Sequence, residues 1–459
     1  MSAAVLDRLP ARIVLLLGWI VFLVCAFPGV MTWDSFSQLG EARSGIYSDG
    51  HPPVMAMLWS VLDRLTPGPF GMLVVQSWAF LLGTYFIVAR VMRPSRAALT
   101  AVAILLFPPV LTPMMVIWKD CLMAGALLLG VAGLLDDRRG VRFAGLAALM
   151  LATLLRHNAP AATLPLIVLL LAREHAPGWG ARLRRTGIAI GVALVITVAA
   201  FGINDALTDK RTHLWHSSVA VMDIVGIQLL AGDLSDDEWK RLLDGTPLVV
   251  DDHIQERARK GYKAFDFSSL VSGFDRLFDL DEGRKTTPAE RAAIYRAWRA
   301  QVTRHPYLYV VHRLRTFRHV LALGRRPAGM VVVIRARPKL AETAIDNAPR
   351  RWTRFQAWLD SSLFKVAMHS PLWRPFVYLL LAVALLWPAR HQRDAFALLV
   401  SGVTMELALL PIASTPDYRY SHWLVVSTVL AAVLTSTRAL ARRRDRRPGA
   451  QPTEASPLG

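Results

Sequence analysis

The sequence predicts an all-α polytopic membrane protein, with about ten transmembrane helices and a mostly helical block outside the membrane. Three observations carry this reading. Hydrophobic residues make up 54% of the 459, and charged residues only 19%, below the roughly 25% of ordinary soluble domains. The apolar residues gather into ten runs whose one formal charge is Glu406. Basic residues alternate from loop to loop between those runs.

The runs are 13–30, 69–89, 97–116, 121–135, 143–155, 159–172, 187–203, 375–389, 395–412 and 421–437. Several are shorter than the roughly 17–25 residues of a full pass. Polar flanks must complete them, as where helices border a water-filled cavity. The run 54–62 is shorter still and leads into Asp63-Arg64; it is expected to lie at the interface or to re-enter it. Run 13–30 lacks a clear small-residue cleavage site and is taken as the first helix, not a signal peptide.

With the N-terminus inside, twenty basic residues fall in cytoplasmic segments: Arg8 and Arg12, Arg90 to Arg96, Arg138 to Arg142, Arg173 to Arg185, Arg390 and Arg393, and Arg438 to Arg447. The short outer loops hold five: Arg43, Arg64, Lys119, Arg156 and Arg419. That bias fixes the expected topology, with both termini cytoplasmic. It also explains most of the net charge of +19, including the Arg442–Arg447 run just past the last span. No nucleic-acid partner is therefore expected. The two cysteines, Cys25 and Cys121, sit in or beside apolar runs, which excludes a disulfide framework or a cysteine zinc site.

The expected organisation is a seven-helix membrane core at 1–203, including a first outer loop at 31–66, then an extracytoplasmic block at 204–370. Three C-terminal spans follow at 371–441, and a basic, disordered cytoplasmic tail at 442–459. The outer block carries 27 basic and 20 acidic residues. Ser235 with Glu238 and Thr287 with Glu290 have the spacing of capping boxes, the second opening a helix to about Arg304. Residues 307–323 set Tyr307, Val310, Val311 and Leu314 against Arg313, Arg315 and Arg318, as in a helix lying on a membrane surface.

Chemistry collects at five outer positions. Trp33-Asp34-Ser35-Phe36-Ser37-Gln38 follows the first span, and Asp49-Gly50-His51-Pro52-Pro53 precedes the interfacial run. Trp118-Lys119-Asp120, Arg156-His157-Asn158 and Asp417-Tyr418-Arg419-Tyr420 occupy later outer turns. Lys119, Arg156 and Arg419 at headgroup depth suit one or two phosphates of a lipid, arginine through its planar fork and lysine as a point charge. Asp34 can accept a proton from a hydroxyl. His51, stiffened by two prolines, can orient the carboxylate or a phosphate oxygen. Together these describe group transfer from a lipid-phosphate donor.

Blander roles stand beside each of these. Asp34 could cap the following helix, Arg156 could snorkel to headgroups, and Arg419-Tyr420 could anchor the interface. His51 could simply shape a turn. Glu406 is either functional or one end of an interhelical hydrogen bond.

The arrangement resembles the membrane-embedded glycosyltransferases of the GT-C class, which use polyprenyl-phosphate-linked sugars, and is most similar to a poorly characterised bacterial branch. The resemblance rests on Trp33-Asp34-Ser35 with Gln38, His51-Pro52, Trp118-Lys119-Asp120, Arg156 with Asn158, and Arg419-Tyr420. It covers helices one to seven and the last outer turn. It implies a GT-C-like core in a bacterial inner membrane, with an extracytoplasmic active site. Asp34 would be the general base, and Lys119, Arg156 and Arg419 would hold the carrier phosphate; His51 and Tyr420 are expected to contact the substrate beside them. Gln38, Asp120 and Asn158 would support them. The donor would be a polyprenyl-phosphate sugar, the acceptor a glycan, lipid or protein, and the transfer inverting.

Some members of that class hold a divalent metal through several acidic residues. Here Asp34 and Asp120 are the obvious candidates, with Asp49 a distant third. That is thin for a hard cation wanting six or more oxygens, so metal-independent transfer is expected and no cofactor. A glycan ligase using a lipid-linked donor is the main rival. A lipid or glycan transporter would show charged, broken midplane helices in repeated halves, and only Glu406 fits.

Overall fold

The computed structural model describes residues 9–172, 178–248, 253–271, 277, 286–324 and 353–445. Among them the protein is all-helical, with isolated bridges in place of β-strands. Three helices are long and apolar enough to cross a membrane: Phe70–Val88, Trp179–Ala206 and Tyr418–Arg443. A fourth is added if the bent pair Pro94–Leu106 and Pro108–Met114 counts as one pass. The expectation of about ten spans therefore reaches further than helix length does. Runs such as 159–172 and 375–389 form shorter helices, Pro160–Ala172 and Pro375–Ala389.

In chain order the first half comprises α1 (Ala11–Ala26), α2 (Trp33–Ser44), α3 (Pro53–Leu65), α4 (Phe70–Val88) and α5 (Pro94–Leu106). Then come α6 (Pro108–Met114), α7 (Lys119–Leu134), α8 (Arg139–Leu155), α9 (Pro160–Ala172) and α10 (Trp179–Ala206). Glycines let the central helices approach closely, as small residues do in membrane bundles. A Cβ on Gly133 of α7 would stand 2.6 Å from the Gly145 Cα of α8, and one on Gly83 of α4 would stand 2.6 Å from the Leu128 Cβ of α7. The run 54–62 lies within α3, whose Met55, Ala56 and Trp59 are fully buried in this core. Helix α10 continues to Ala206, past the boundary expected at 203.

The run 97–116 is not one rod. The residue before a proline is driven out of the helical region, and Phe107 before Pro108 has an extended backbone (φ −60°, ψ 121°). The axes of α5 and α6 diverge by 71° there. Beyond α6 the chain runs extended, and Val116 forms a parallel bridge to Val30. The Val30 N–H donates to Met115 O, and its carbonyl accepts the Ile117 N–H, both at 2.9 Å. Gln76 on α4 donates to the Met114 and Val116 carbonyls at 2.9 and 2.8 Å. These bonds fix where α7, and so Lys119, begins.

The second half opens with a π-helical turn, Trp215–Ala220, that runs into α11 (Val221–Ala231). It continues through α12 (Asp236–Leu242), α13 (Ile254–Gly261), α14 (Pro288–Arg304) and α15 (Pro306–Val320). Both expected capping boxes are present, at Ser235/Glu238 and Thr287/Glu290. This block has its own core around Ile224, Trp239, Ile254 and Ile294. Helix α15 corrects the expectation for Arg313. That side chain is 2% exposed and pairs with Asp223 at 2.5 Å, while Tyr307, Val310 and Leu314 remain exposed on another face.

Last come α16 (Arg354–His369), α17 (Pro375–Ala389), α18 (Arg393–Leu407) and α19 (His422–Asp445). Glu406 on α18 accepts a hydrogen bond from Ser421 Oγ at 2.8 Å, the structural alternative for that acid. Arg438, counted above as a topological charge, is bound by Asp394 at 2.6 Å. Helix α19 carries Arg442 to Arg444; the rest of the expected basic tail, 446–459, and residues 325–352 of the outer block lie outside the described residues.

Candidate active site

The loop after α1 and the turn before α7 are sewn together. Thr32 is the N-cap of α2, and its N–H donates to Ser35 Oγ at 3.0 Å. Ser35 in turn donates to Ile117 O, and Trp118 Nε1 donates to Thr32 Oγ1, both at 2.8 Å. The cap of α2 is thus Thr32, not Asp34. Asp34 is left one residue inside the helix, with its carboxylate turned to other partners.

Those partners are Arg419 and His51. Arg419 Nη1 lies 2.5 Å from Asp34 Oδ2, and His51 Nε2 lies 3.9 Å from Oδ1. The other ring nitrogen, His51 Nδ1, is 2.8 Å from Lys119 Nζ. Burial, and next the Lys119 charge, push the His51 pKa down to about 3, so the ring is neutral near pH 7. When Lys119 is charged its ammonium can only donate, so Nδ1 accepts and the ring proton sits on Nε2, facing Asp34. Burial works against charge on Asp34 as well. Arg419 above all, with Lys119, outweighs it and holds the carboxyl below the ordinary range.

Arg156 follows α8 with an extended backbone and is bound by the buried Asp120 of α7. Its Nε donates to Asn158 Oδ1 at 3.1 Å, and its guanidinium lies 5.1 Å from the Tyr420 ring centroid. Arg419 is held from behind by Asp417, whose Oδ2 is 2.8 Å from Nε, and lies 4.9 Å from the Trp118 ring. Each arginine therefore has a fixed carboxylate partner and an aromatic face.

Asp34, His51, Lys119, Arg156, Asn158, Arg419 and Tyr420 all line one cavity of about 660 Å³. Gln38 and Asp120 do not line it. Gln38 donates to the Asp34 backbone carbonyl at 3.3 Å, so it steadies the turn that bears the carboxylate. Asp120 faces Arg156. Asp49 is committed elsewhere: its Oδ1 accepts from both the N–H and Oγ1 of Thr212 at 2.5 Å. Of the carboxylates weighed for a metal, each thus faces protein donors, and the described residues hold no group of three or more metal-ligating side chains.

Several lining residues were not singled out by sequence. The Asp49–Thr212 clasp, with the Tyr47 carbonyl accepting from Asp209 and Lys210 at 2.9 Å, brings 207–219 over the first loop. Thr212, Trp215 and Ser218 thereby join the wall with Phe267, and Leu409, Ile412 and Ser414 enter from the other side. Trp33 is 64% exposed at the rim. No local signal marks Thr212, Trp215 or Ser218, since only the tertiary clasp brings them to the cavity.

The chamber thus has a polar end, with one carboxylate, the imidazoles of His51 and His157 and three cations, and a mouth of aromatic, apolar and hydroxyl groups. Such a chamber can bind an anionic group beside a proton acceptor while apolar surface receives the remainder of a ligand. Comparisons with protein-family models, curated proteins and solved structures find no match to this chain.

Proposed function

We propose that the protein is a membrane glycosyltransferase of GT-C type, moving a sugar from a polyprenyl-phosphate-linked donor to an acceptor hydroxyl. The observation that carries the proposal is the shared cavity wall. A carboxylate and three cations, drawn from both ends of the chain, meet beside an apolar and aromatic mouth.

In this reading the shorter apolar helices complete further passes, to about ten, in a bacterial inner membrane. The cavity opens on the extracytoplasmic side, and Tyr307, Val310 and Leu314 of α15 rest on the lipid surface. The polyprenyl tail lies along the apolar helices. Its phosphate meets Lys119, Arg156 and Arg419, with Tyr420 packed against both arginines. The acceptor, a glycan, lipid or protein hydroxyl, enters past Trp215.

The acceptor oxygen attacks the anomeric carbon while Asp34 takes its proton. The new C–O bond forms as the bond to the phosphate oxygen breaks, and its electron pair leaves with polyprenyl phosphate. The cations stabilise that developing charge in a partly dehydrated site. His51 Nε2–H orients the Asp34 carboxylate. A single displacement inverts the anomeric configuration.

The test is to supply purified full-length protein in nanodiscs with a panel of polyprenyl-phosphoryl sugars and cell-envelope acceptors. Transfer of one sugar with inversion is the expected result. Transfer of a preassembled polymer would point to a ligase, and no transfer from any lipid-linked donor would remove the reading.

A further inference from the structure

The three cations of the cavity differ in what they are bound to. Arg156 is locked by Asp120, which is 1% exposed and faces away from the cavity, and by Asn158. Lys119 faces the neutral His51 ring and has no carboxylate partner among the described residues. Arg419 stands between two carboxylates, Asp417 behind it and Asp34 on the cavity side. In the free protein, then, the anion that occupies the cavity face of Arg419 is Asp34 itself.

That placement conflicts with work as a base. Asp34 Oδ2 is taken up by the guanidinium at 2.5 Å, and its other oxygen is turned to His51 at 3.9 Å. A carboxylate so held is a weakened proton acceptor, because the guanidinium on Oδ2 favours its charged form. A phosphate oxygen arriving beside Lys119 would meet the same guanidinium fork, where charge-assisted bonds to phosphate are strong.

We propose that Asp34 and the phosphate of the donor compete for Arg419, so that capture of the phosphate releases Asp34 and arms it as the base. The proposal rests on the cavity being a phosphate site, and gives Asp34 a second role in setting how tightly that phosphate binds. Released from Arg419, the carboxylate regains its basicity only when the donor is seated. Proton abstraction is thereby confined to the loaded site. Asp417 keeps Arg419 in place throughout the exchange, because its contacts include the Arg419 backbone N–H at 3.2 Å as well as the side chain.

The competition makes a distinctive demand: removing a supposed catalytic carboxylate must tighten binding of the product lipid. Affinity for farnesyl phosphate is measured on the full-length protein in phosphatidylcholine nanodiscs for wild type, Asp34→Asn, Arg419→Gln and the double variant. Asp34→Asn is expected to bind about tenfold or more tightly than wild type. Arg419→Gln is expected to bind more weakly, and adding Asp34→Asn to it should gain almost nothing, because the competed group is gone. Asp34→Ala serves as the second variant, with the same expectation and without the amide's hydrogen bonds. Unchanged or weaker binding by both Asp34 variants overturns the proposal. So does a tightening of equal size in the Arg419→Gln background, which would reflect only the loss of a negative charge.

Inorganic phosphate is titrated in parallel. The same pattern at comparable affinity would assign the seat to a free anion and overturn the lipid-linked donor. The two readings separate cleanly. Competition without sugar transfer leaves the gate standing and removes the transferase, whereas transfer without competition does the reverse.

Discussion

Asp34 Oδ2 and Arg419 Nη1 stand 2.5 Å apart, although one follows the first helix and the other precedes the last. The pair closes the cavity between the two ends of the chain. It sets the proposed base directly against a proposed phosphate ligand, and the expected behaviour of variants follows from that contact and the residues around it.

Lys119 is the one of the three cavity cations with no carboxylate in ion-pair contact among the described residues. Replacing it by methionine removes a charge-assisted contact worth about 1.5–3 kcal/mol. Donor KM should rise about tenfold or more, with a melting temperature no lower than wild type, since no ion pair is broken. Steady-state kinetics and thermal unfolding of Lys119→Met check this together. An unchanged KM would remove Lys119 from the phosphate site.

Acid should destabilise the protein in a defined window. The His51 pKa is pushed from 6.5 down to about 3 by burial and Lys119, so the unfolded chain binds more protons than the native one between those values. The associated stability is complete above pH 6.5 and is lost as pH falls towards 3. Asp34, held below the ordinary carboxyl range by Arg419, adds a loss of the same sign at the acid end. Melting temperature should therefore fall on acidification from pH 7 to 4, and less steeply in His51→Gln. A parallel fall in both proteins would contradict the burial of a neutral ring.

Arg313 binds Asp223 at 2.5 Å and donates to Ala413 O at 3.0 Å, tying α11 and α15 to the loop that carries Arg419. Asp223 also meets His312 and the Trp298 indole, each at 2.9 Å. Arg313→Met leaves a buried carboxylate without its main countercharge, a loss of about 3–5 kcal/mol. Thermal unfolding should show a large drop. A change within the scatter of surface substitutions would mean that the pair does not hold the block in place.

Gln76 supports Lys119 from a distance by binding the Met114 and Val116 carbonyls. Gln76→Leu orphans both, at about 1–3 kcal/mol for each buried group. Melting temperature and turnover should fall together, whereas Gln76→Glu loses the donors but keeps the shape. A stable Gln76→Leu protein with full turnover would show that the turn before α7 is held by other bonds.

The sequence made the helical class and the five polar turns readable because hydropathy and charge are local properties. Asp34, His51, Lys119, Arg156 and Arg419 each stand beside an apolar run, and one shared side of the bundle suffices to bring them together. Helix direction was not readable in the same way. A hydropathy window over 97–116 counts apolar residues and is blind to the 71° bend that Phe107-Pro108 imposes. Pairings over long separations were equally hidden. Arg313 read as a surface charge because nothing near it in sequence names Asp223, and Thr212 and Trp215 reach the cavity only through Asp49. Gln76, within an uncharged run, gave no sign that it holds the turn on which Lys119 is mounted.

The central claim is that Asp34 takes the acceptor's proton. Its most direct test is release of polyprenyl phosphate from a lipid-linked sugar by purified wild type and Asp34→Asn, side by side, at matched folding and saturating donor. General-base catalysis contributes about 10²- to 10⁴-fold, and a loss of turnover of that size in Asp34→Asn is the expected result. Equal turnover by the two proteins would contradict it.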